Sequence, residues 1–195
     1  MAEQFRIQES EVTITSDDET LQAFFALPDR PGPVPGAVMI HDIFGLRDLA
    51  RQQARRLASK GIAAVYPHLL WGTGPFDPSI DPEAGKSSQP YVKSITIDRC
   101  MADIQAGLNW LRSRKEVDKE RLITWGYCWG GAMALRGAGR IPGLSATVVW
   151  HGMLKDEELE EMDRAKGPIL GLFGGADEMI SLEDVRALQE KCAAA

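Results

Sequence analysis

The sequence has few cysteines, no long apolar run and no excess of basic residues. Its three cysteines, Cys100, Cys128 and Cys192, form no CxxC pair and no cluster with histidine. Neither a disulfide framework nor a zinc site of ordinary spacing is therefore expected. No segment approaches the roughly 18 apolar residues of a membrane span, and the first residues lack the basic and apolar regions of a signal peptide. We expect a cytoplasmic protein with free thiols, no bound metal and no membrane association.

The charge balance is mildly acidic. Asp and Glu number 28 against 22 Lys and Arg, for a formal net charge of -6 over 195 residues. No basic cluster is present that could hold a phosphate backbone, so nucleic acid is not an expected partner. A chain of this length fits one domain, predicted over residues 1–195. The sequence does not indicate an oligomeric state.

Short apolar runs alternate with amphipathic helical segments along most of the chain. Residues 12–15 and 21–27 are predicted to form an antiparallel pair, and the prolines within 30–36 predict a loop. Further strands are predicted at 37–40, 62–66, 121–127, 146–150 and 169–173, and helices at 46–60, 95–115, 130–138, 157–164 and 182–191. This alternation predicts a three-layer α/β fold, with a doubly wound and mainly parallel sheet covered on both faces.

One strand-to-helix junction has the composition of a nucleophile elbow. It reads Gly126-Tyr127-Cys128-Trp129-Gly130-Gly131. Small residues are needed two positions before and after the nucleophile, because larger side chains would clash with the adjoining strand and helix. Cys128 is therefore the predicted nucleophile, and its place at a helix N-terminus predicts a thiol that ionises readily. The alternative, a buried and inert cysteine, is assigned to Cys100 and Cys192.

Two main-chain N–H groups are expected to stabilise the oxyanion that forms when such a nucleophile attacks a carbonyl. One belongs to Trp129, the residue after Cys128. The other is expected in the loop His41-Asp42-Ile43-Phe44-Gly45, which follows the predicted strand 37–40.

Three ordered motifs resemble those of the dienelactone hydrolase family. They are Ile40–Gly45, Gly126–Gly131 and Phe173-Gly174-Gly175-Ala176-Asp177, and the similarity runs from near residue 10 to the end of the sequence. The resemblance implies an α/β-hydrolase fold, hydrolysis of a small ester or lactone through a thioester on the cysteine, and no cofactor. It also implies the Ile43 N–H as the second oxyanion donor.

Asp177 matches the acid of the catalytic triad in that family. Its position after the predicted strand 169–173 also fits the chain order of nucleophile, acid and histidine. The alternative is that Asp177 only forms a turn or caps the following helix.

The family pattern continues with a histidine base some tens of residues after the acid. The printed sequence has no histidine beyond His151. We therefore expect the C-terminal strand and helix of the fold to be missing from this chain. Hydrolysis is expected to be weak or absent, since loss of a triad member costs about 10⁴ to 10⁶ in kcat. Three explanations stay open: a piece of a longer enzyme, a short relative with another role, or a substitute histidine.

Three residues are expected to bind substrate or assist the site. Asp42 stands where the family usually has glutamate and is one methylene shorter, so its contact with the thiol is expected to be mediated by water or absent. Trp71, in the long loop 67–90, indicates an apolar or aromatic acyl group. His151 directly follows the predicted strand 146–150, at its carboxyl end, and is expected to line the pocket. Of the other histidines, His41 is expected to shape the oxyanion loop and His68 to be exposed.

The function expected on these grounds is hydrolysis of esters or lactones by a dienelactone hydrolase-like enzyme. The second hypothesis is a non-catalytic relative that binds or senses a small molecule. A cysteine-based redox protein is less favoured, because no resolving cysteine lies near Cys128 in the sequence.

Overall fold

The computed structural model describes residues 4–70 and 90–194. In this part of the chain, strands form one mixed sheet in the order β1-β2-β4-β3-β5-β6-β7. The strands are β1 Ile7–Ser16, β2 Glu19–Pro28, β3 Val34–Ile40, β4 Ala63–Pro67, β5 Val117–Tyr127, β6 Ala146–Trp150 and β7 Ile169–Leu172. The helices are α1 Asp48–Ala58, α2 Ile97–Arg112, α3 Trp129–Arg140, α4 Asp156–Glu161, which continues as the 3₁₀ turn Met162–Arg164, and α5 Leu182–Ala194.

The sheet is mainly parallel, as predicted. β1 and β2 form an antiparallel hairpin whose two-residue turn places Asp17 at a φ of 48°. β2 is also antiparallel to β4, whereas β3 pairs in parallel with β4 and β5, and β6 pairs in parallel with β5 and β7. None of the helices in the described residues is long and apolar enough to span a bilayer.

The start of β3 differs from the prediction. The prolines of residues 30–36 predicted a loop, yet β3 begins at Val34, which pairs with Val117 and donates its N–H to the Glu116 carbonyl at 2.9 Å. The register shifts between Val34 and Gly36. Pro35 lies at this irregularity, where the ladder does not require an N–H donor. A proline at a bulge is therefore compatible with the strand.

Helix α2 begins two residues later than predicted because Thr96 caps it. The Thr96 hydroxyl accepts a hydrogen bond from the Arg99 N–H at 3.2 Å. The buried face of the helix then carries Met101, Ile104, Leu108 and Leu111, which are three or four residues apart. Burying an aliphatic side chain of this size stabilises the fold by roughly 2 kcal/mol.

Helices cover the two faces of the sheet unequally. On one face, Ala50, Ala54, Leu57 and Ala58 of α1 pack against apolar residues of β2, β3 and β4. On the other face, α2, α3, α4 and α5 contribute to a larger core over β3, β5 and β6. Two large side chains near the β7 edge are exposed: Trp150 at 38% and Leu170 at 54%.

The strand order places a topological switch point between β3 and β5. From β3 the chain moves to β4 on one side, whereas from β5 it moves to β6 and β7 on the other. In open α/β sheets, ligands bind outside the carboxyl ends of the strands at such a point. Here those ends carry the loop that starts at His41 and the turn that contains Cys128.

Candidate active site

Cys128 occupies a strained turn between β5 and α3. Its φ of 55° and ψ of -118° lie in a region that non-glycine residues rarely adopt. The turn is held on both sides: the Cys128 N–H donates to the Trp150 carbonyl at 2.9 Å, and the Cys128 carbonyl accepts from the N–H groups of Gly131 and Ala132. The predicted strand–turn–helix geometry is thus present at the predicted residue.

The glycines of the elbow allow three close backbone approaches. A methyl group on Gly126 would overlap the Gly130 carbonyl, and one on Gly130 would overlap the carbonyl oxygens of Ile40 and His41. A methyl group on Gly131 would lie 2.7 Å from the Gly152 Cα. Gly130 therefore brings the start of α3 directly against the end of β3, beside the predicted oxyanion loop.

The thiol of Cys128 ionises less readily than the sequence predicted. The residue is half-buried, and this burial raises the pKa of its thiol above the ordinary value. A hydrogen bond from the Trp129 N–H lowers the pKa, while the negative charges of Asp42 and Asp177 raise it, and the net shift is upward. The prediction of an acidic thiol was wrong, because desolvation and two carboxylates outweigh the helix N-terminus.

The oxyanion loop is braced by the Asp42 carboxylate. One oxygen accepts the Phe44 N–H at 2.9 Å, and the other accepts from the Arg47 guanidinium at 2.7 Å. The guanidinium in turn lies over the Phe44 ring, 4.5 Å from its centroid. Both oxygens of Asp42 are thus engaged within the loop, and its negative charge raises the pKa of the Cys128 thiol. The sequence analysis did not identify Arg47. The only indication in the sequence was that this basic residue follows the acidic loop residue Asp42 by five positions.

Two N–H groups near the elbow have no main-chain acceptor within the described residues. Neither the Ile43 N–H nor the Trp129 N–H donates to a main-chain oxygen of residues 4–70 or 90–194. The Trp129 N–H bonds the sulfur instead. The Ile43 N–H therefore has no main-chain acceptor in the described part of the chain, whereas the Trp129 N–H is shared with the sulfur.

Asp177 lies close enough to Cys128 for its charge to act on the thiol. One carboxylate oxygen accepts the N–H groups of Met179 at 2.8 Å and Ile180 at 3.1 Å. The other has no hydrogen-bond donor within the described part of the chain. Asp177 therefore forms a turn, as the alternative interpretation expected, but this role uses only one of its two carboxylate oxygens.

The alternative role of Asp177 as a helix cap is wrong. Helix α5 is capped by Ser181, whose hydroxyl accepts the Asp184 N–H at 3.1 Å while the Asp184 carboxylate accepts the Ser181 N–H at 2.8 Å.

Both ring nitrogens of His41 are used in the protein interior. Nδ1 lies 2.6 Å from the Asp42 carbonyl, and Nε2 accepts the Leu69 N–H at 2.9 Å. Burial lowers the pKa of His41 to about 4. His41 shapes the oxyanion loop, as predicted, and it has no free lone pair for a proton.

His68 is not exposed, contrary to the prediction. It is half-buried, with its ring 5.7 Å from that of His41 and its Nε2 only 2.7 Å from where a Cβ on Gly45 would lie. Burial, helped by the nearby His41 and Arg51, lowers the pKa of His68 to about 4. Gly45 takes a φ of 74°, which suits its place beneath this ring.

His151 lines a pocket on the α1 side of the sheet. Its φ is 39°, and its N–H donates to the Leu172 carbonyl at 2.8 Å. The pocket, of about 600 Å³, is lined by Met39, Gln53, Arg56, Leu57, Lys60, Trp125, Tyr127, Trp150 and His151. Cys128 is not among the described residues that line this pocket, so the predicted place of His151 in a pocket shared with Cys128 stays a prediction.

The remaining sequence-predicted residues fall into two groups. Trp71 lies outside the described residues. Of the other cysteines, Cys100 is buried and its pKa is raised to about 12 by burial, as expected of an inert thiol. Cys192 is exposed on α5, so its prediction as a buried cysteine was wrong. No group of three potential metal ligands occurs among residues 4–70 and 90–194.

The fold and site define a member of the α/β-hydrolase class: a mainly parallel sheet with the strained Cys128 turn at its switch point and the acidic residue Asp177 in a later loop. Residues 21–195 match the model of the Dienelactone hydrolase family. The chain belongs to that family, which comprises ester and lactone hydrolases.

Individual relatives agree with this assignment. The chain is 32% identical over 192 residues to the "Putative carboxymethylenebutenolidase" of Escherichia coli, covering 94% of this chain and 70% of that protein. A protein of the same name from Methylorubrum extorquens is 30% identical over 193 residues, covering 95% and 66%. The crystal structure titled "Putative Dienelactone Hydrolase" from Klebsiella pneumoniae aligns with a TM-score of 0.86 at 30% identity, covering 97% and 82%. The chain thus spans about two thirds of the length of these curated relatives.

Proposed function

We propose that this protein cleaves small esters or lactones through a thioester on Cys128. The observation that carries the proposal is the conformation of Cys128: a φ of 55° on a turn at the switch point, with the sulfur bonded by the Trp129 N–H. Folded proteins retain such backbone strain mainly at functional sites.

The reaction follows from this placement. The Cys128 sulfur adds to the substrate carbonyl, and the negative oxygen so formed takes hydrogen bonds from the Ile43 and Trp129 N–H groups. The tetrahedral species then expels the alcohol oxygen, which takes up the proton that the thiol released, and leaves the acyl group on sulfur. Water adds to this thioester and releases the carboxylic acid together with the free thiol. No cofactor enters any step.

The difficult step of this reaction in the 195-residue chain is removal of the proton from the Cys128 thiol. The pKa of Cys128 is raised, so the thiol is mostly protonated at neutral pH. Asp177 has one oxygen left with which to orient a base, yet His41 has both ring nitrogens engaged. We therefore propose that this chain forms the thioester slowly and hydrolyses it more slowly still.

The surroundings of the site suit an uncharged acyl group. Phe44 and Trp129 lie in the loop and elbow, and the Arg47 guanidinium is already neutralised by Asp42 at 2.7 Å. We keep Trp71 as a proposed aromatic contact for the substrate. Asp42 is proposed as an accessory group that acts through its charge, and His151 as an accessory residue that lines the pocket.

The test uses p-nitrophenyl acetate and intact-protein mass spectrometry. Because Cys192 is exposed, every protein carries Cys192→Ser, so that a single accessible thiol remains. We expect one acetyl group on Cys128, added faster at higher pH, with little multiple turnover. Cys128→Ala should abolish the adduct, whereas Cys100→Ala, which removes a buried thiol, should leave it unchanged. Acetylation that survives Cys128→Ala would contradict the proposal.

A second candidate is a protein that binds a small carbonyl compound without cleaving it, and the engagement of both His41 nitrogens, which leaves that ring unable to act as a base, favours it. Such a protein would be stabilised against heat by an ester that never acylates it, and the stabilisation would persist in Cys128→Ala.

A further inference from the structure

His41 is the most fully buried ionisable group beside the site, and the reaction above does not use it. Its side chain is 1% exposed. The ring stacks on Trp129 with centroids 5.8 Å apart on one side, and lies parallel to Tyr66 at 6.5 Å. It therefore lies between the elbow and β4, beneath the loop that carries Ile43.

The hydrogen bonds of His41 fix one tautomer. A carbonyl oxygen can only accept, so Nδ1, 2.6 Å from the Asp42 oxygen, carries the proton. The Leu69 N–H can only donate, so Nε2 is unprotonated and accepts it at 2.9 Å. The ring is thus a neutral clamp between the start of the oxyanion loop and the residues after β4.

The clamp acts on the same peptide unit that supplies an oxyanion donor. The Asp42 carbonyl and the Ile43 N–H belong to one peptide group, and this bond is trans. In a trans peptide the C=O and N–H bonds point in opposite directions. Holding the Asp42 carbonyl on His41 therefore turns the Ile43 N–H away from the protein interior.

We propose that His41 is a positioning residue that aims the Ile43 N–H at the oxyanion formed on Cys128. The proposal rests on the function proposed above and adds to it the group that sets the oxyanion donor. Two observations support it. Gly130 holds the elbow against the main chain of Ile40 and His41. Burial also lowers the pKa of His41 to about 4, so the neutral tautomer persists at mildly acidic pH.

Two near-isosteric variants each keep one of the two hydrogen bonds of His41 and remove the other. In His41→Asn, the side-chain amide nitrogen falls close to the Nδ1 position and can still donate to the Asp42 carbonyl. In His41→Gln, the amide group falls close to the Nε2 position, where its oxygen can still accept the Leu69 N–H. Only the asparagine variant keeps the bond that orients the Ile43 peptide.

The readout compares two reactions of the Cys128 sulfur in the Cys192→Ser background. Acylation by p-nitrophenyl acetate develops an oxyanion, whereas alkylation by iodoacetamide displaces iodide and develops none. We expect His41→Gln to slow acylation by about 10- to 100-fold, because a misaimed donor loses much of its effect. Alkylation should stay within about twofold of the unsubstituted protein, and His41→Asn should keep most of the acylation rate.

The proposal is overturned if His41→Gln slows acylation and alkylation equally, or if asparagine and glutamine give the same acylation rate. A protein that is alkylated but never acylated would refute the proposed function instead. In that case NMR tests the proposed role of His41, through the amide resonance of Ile43. That resonance should move in His41→Gln and stay near its original position in His41→Asn; one position in all three proteins would refute the clamp.

Discussion

Replacing Gly130 by alanine is the sharpest test of the elbow geometry. The added methyl carbon would lie 2.7 Å from the Ile40 carbonyl carbon and would overlap the carbonyl oxygens of Ile40 and His41. These are main-chain atoms of the last residue of β3 and of the residue after it, so no side-chain rotation relieves the clash. Since non-bonded carbon atoms rest at about 3.5 Å or more, α3 and β3 must separate by about 1 Å.

Overpacking of this kind costs about 3 kcal/mol, at the upper end of its usual range. For a chain of this size we expect a melting temperature lower by about 6 to 12 °C. Cys128 should also acylate more slowly, because the separation moves the elbow away from the oxyanion loop.

Gly137→Ala is the matched control, with the same substitution in the same helix. Its methyl group would meet only the flexible end of Ile141, at 3.4 Å. Alanine is a better helix former than glycine by about 1 kcal/mol, so this variant should melt at a higher temperature. Urea unfolding measures both variants. The geometric argument fails if Gly130→Ala unfolds within 0.5 kcal/mol of the parent, on the order of an ordinary surface change, and acylates normally.

Three further results are expected. Asp177→Asn removes a charge that raises the pKa of Cys128, so the alkylation rate should reach half its maximum at a lower pH; an unchanged profile would show that Asp177 is too distant. Arg136→Met leaves the buried Glu158 without its partner at 2.8 Å, and urea unfolding should show a loss of about 3 kcal/mol; a loss below about 1 kcal/mol would argue against a buried ion pair. Stability should fall between pH 6.5 and 4, because the pKa of His41 is lowered to about 4 in the folded state and the unfolded chain takes up the proton first. The fall should be about 3 kcal/mol larger in the parent than in His41→Asn, by the linkage of protonation to folding, and equal slopes in the two proteins would contradict the burial of a neutral ring.

The sequence predicted the elbow well because the requirement there is local. The glycines two positions before and after Cys128 can be recognised in the sequence without knowledge of their neighbours in space. The structure shows the main-chain atoms that approach them and leave no room for a side chain. The alternation of strands and helices could also be predicted from the sequence, because the periodicity of apolar residues reflects which face each element buries. Errors fell at element ends, as at Val34, where a partner strand distant in sequence extends the pairing.

Properties that depend on distant partners could not be predicted in this way. The ionisation of Cys128 was misjudged because it depends on burial and on Asp42 and Asp177, which come from separate loops. His68 was expected in solvent and instead packs on Gly45. His151 takes a positive φ of 39°, which residue identity does not reveal.

The sequence by itself determined the family, the succession of strands and helices along the chain, and Cys128 as the residue at the turn. Each of these follows from the local spacing of glycines and apolar residues. The tertiary structure alone decided the charge environment of the sulfur and the double engagement of His41. Both arise from groups that meet only when the sheet places the ends of β3, β4 and β5 side by side, and electrostatic and hydrogen-bond energies depend on such distances in space.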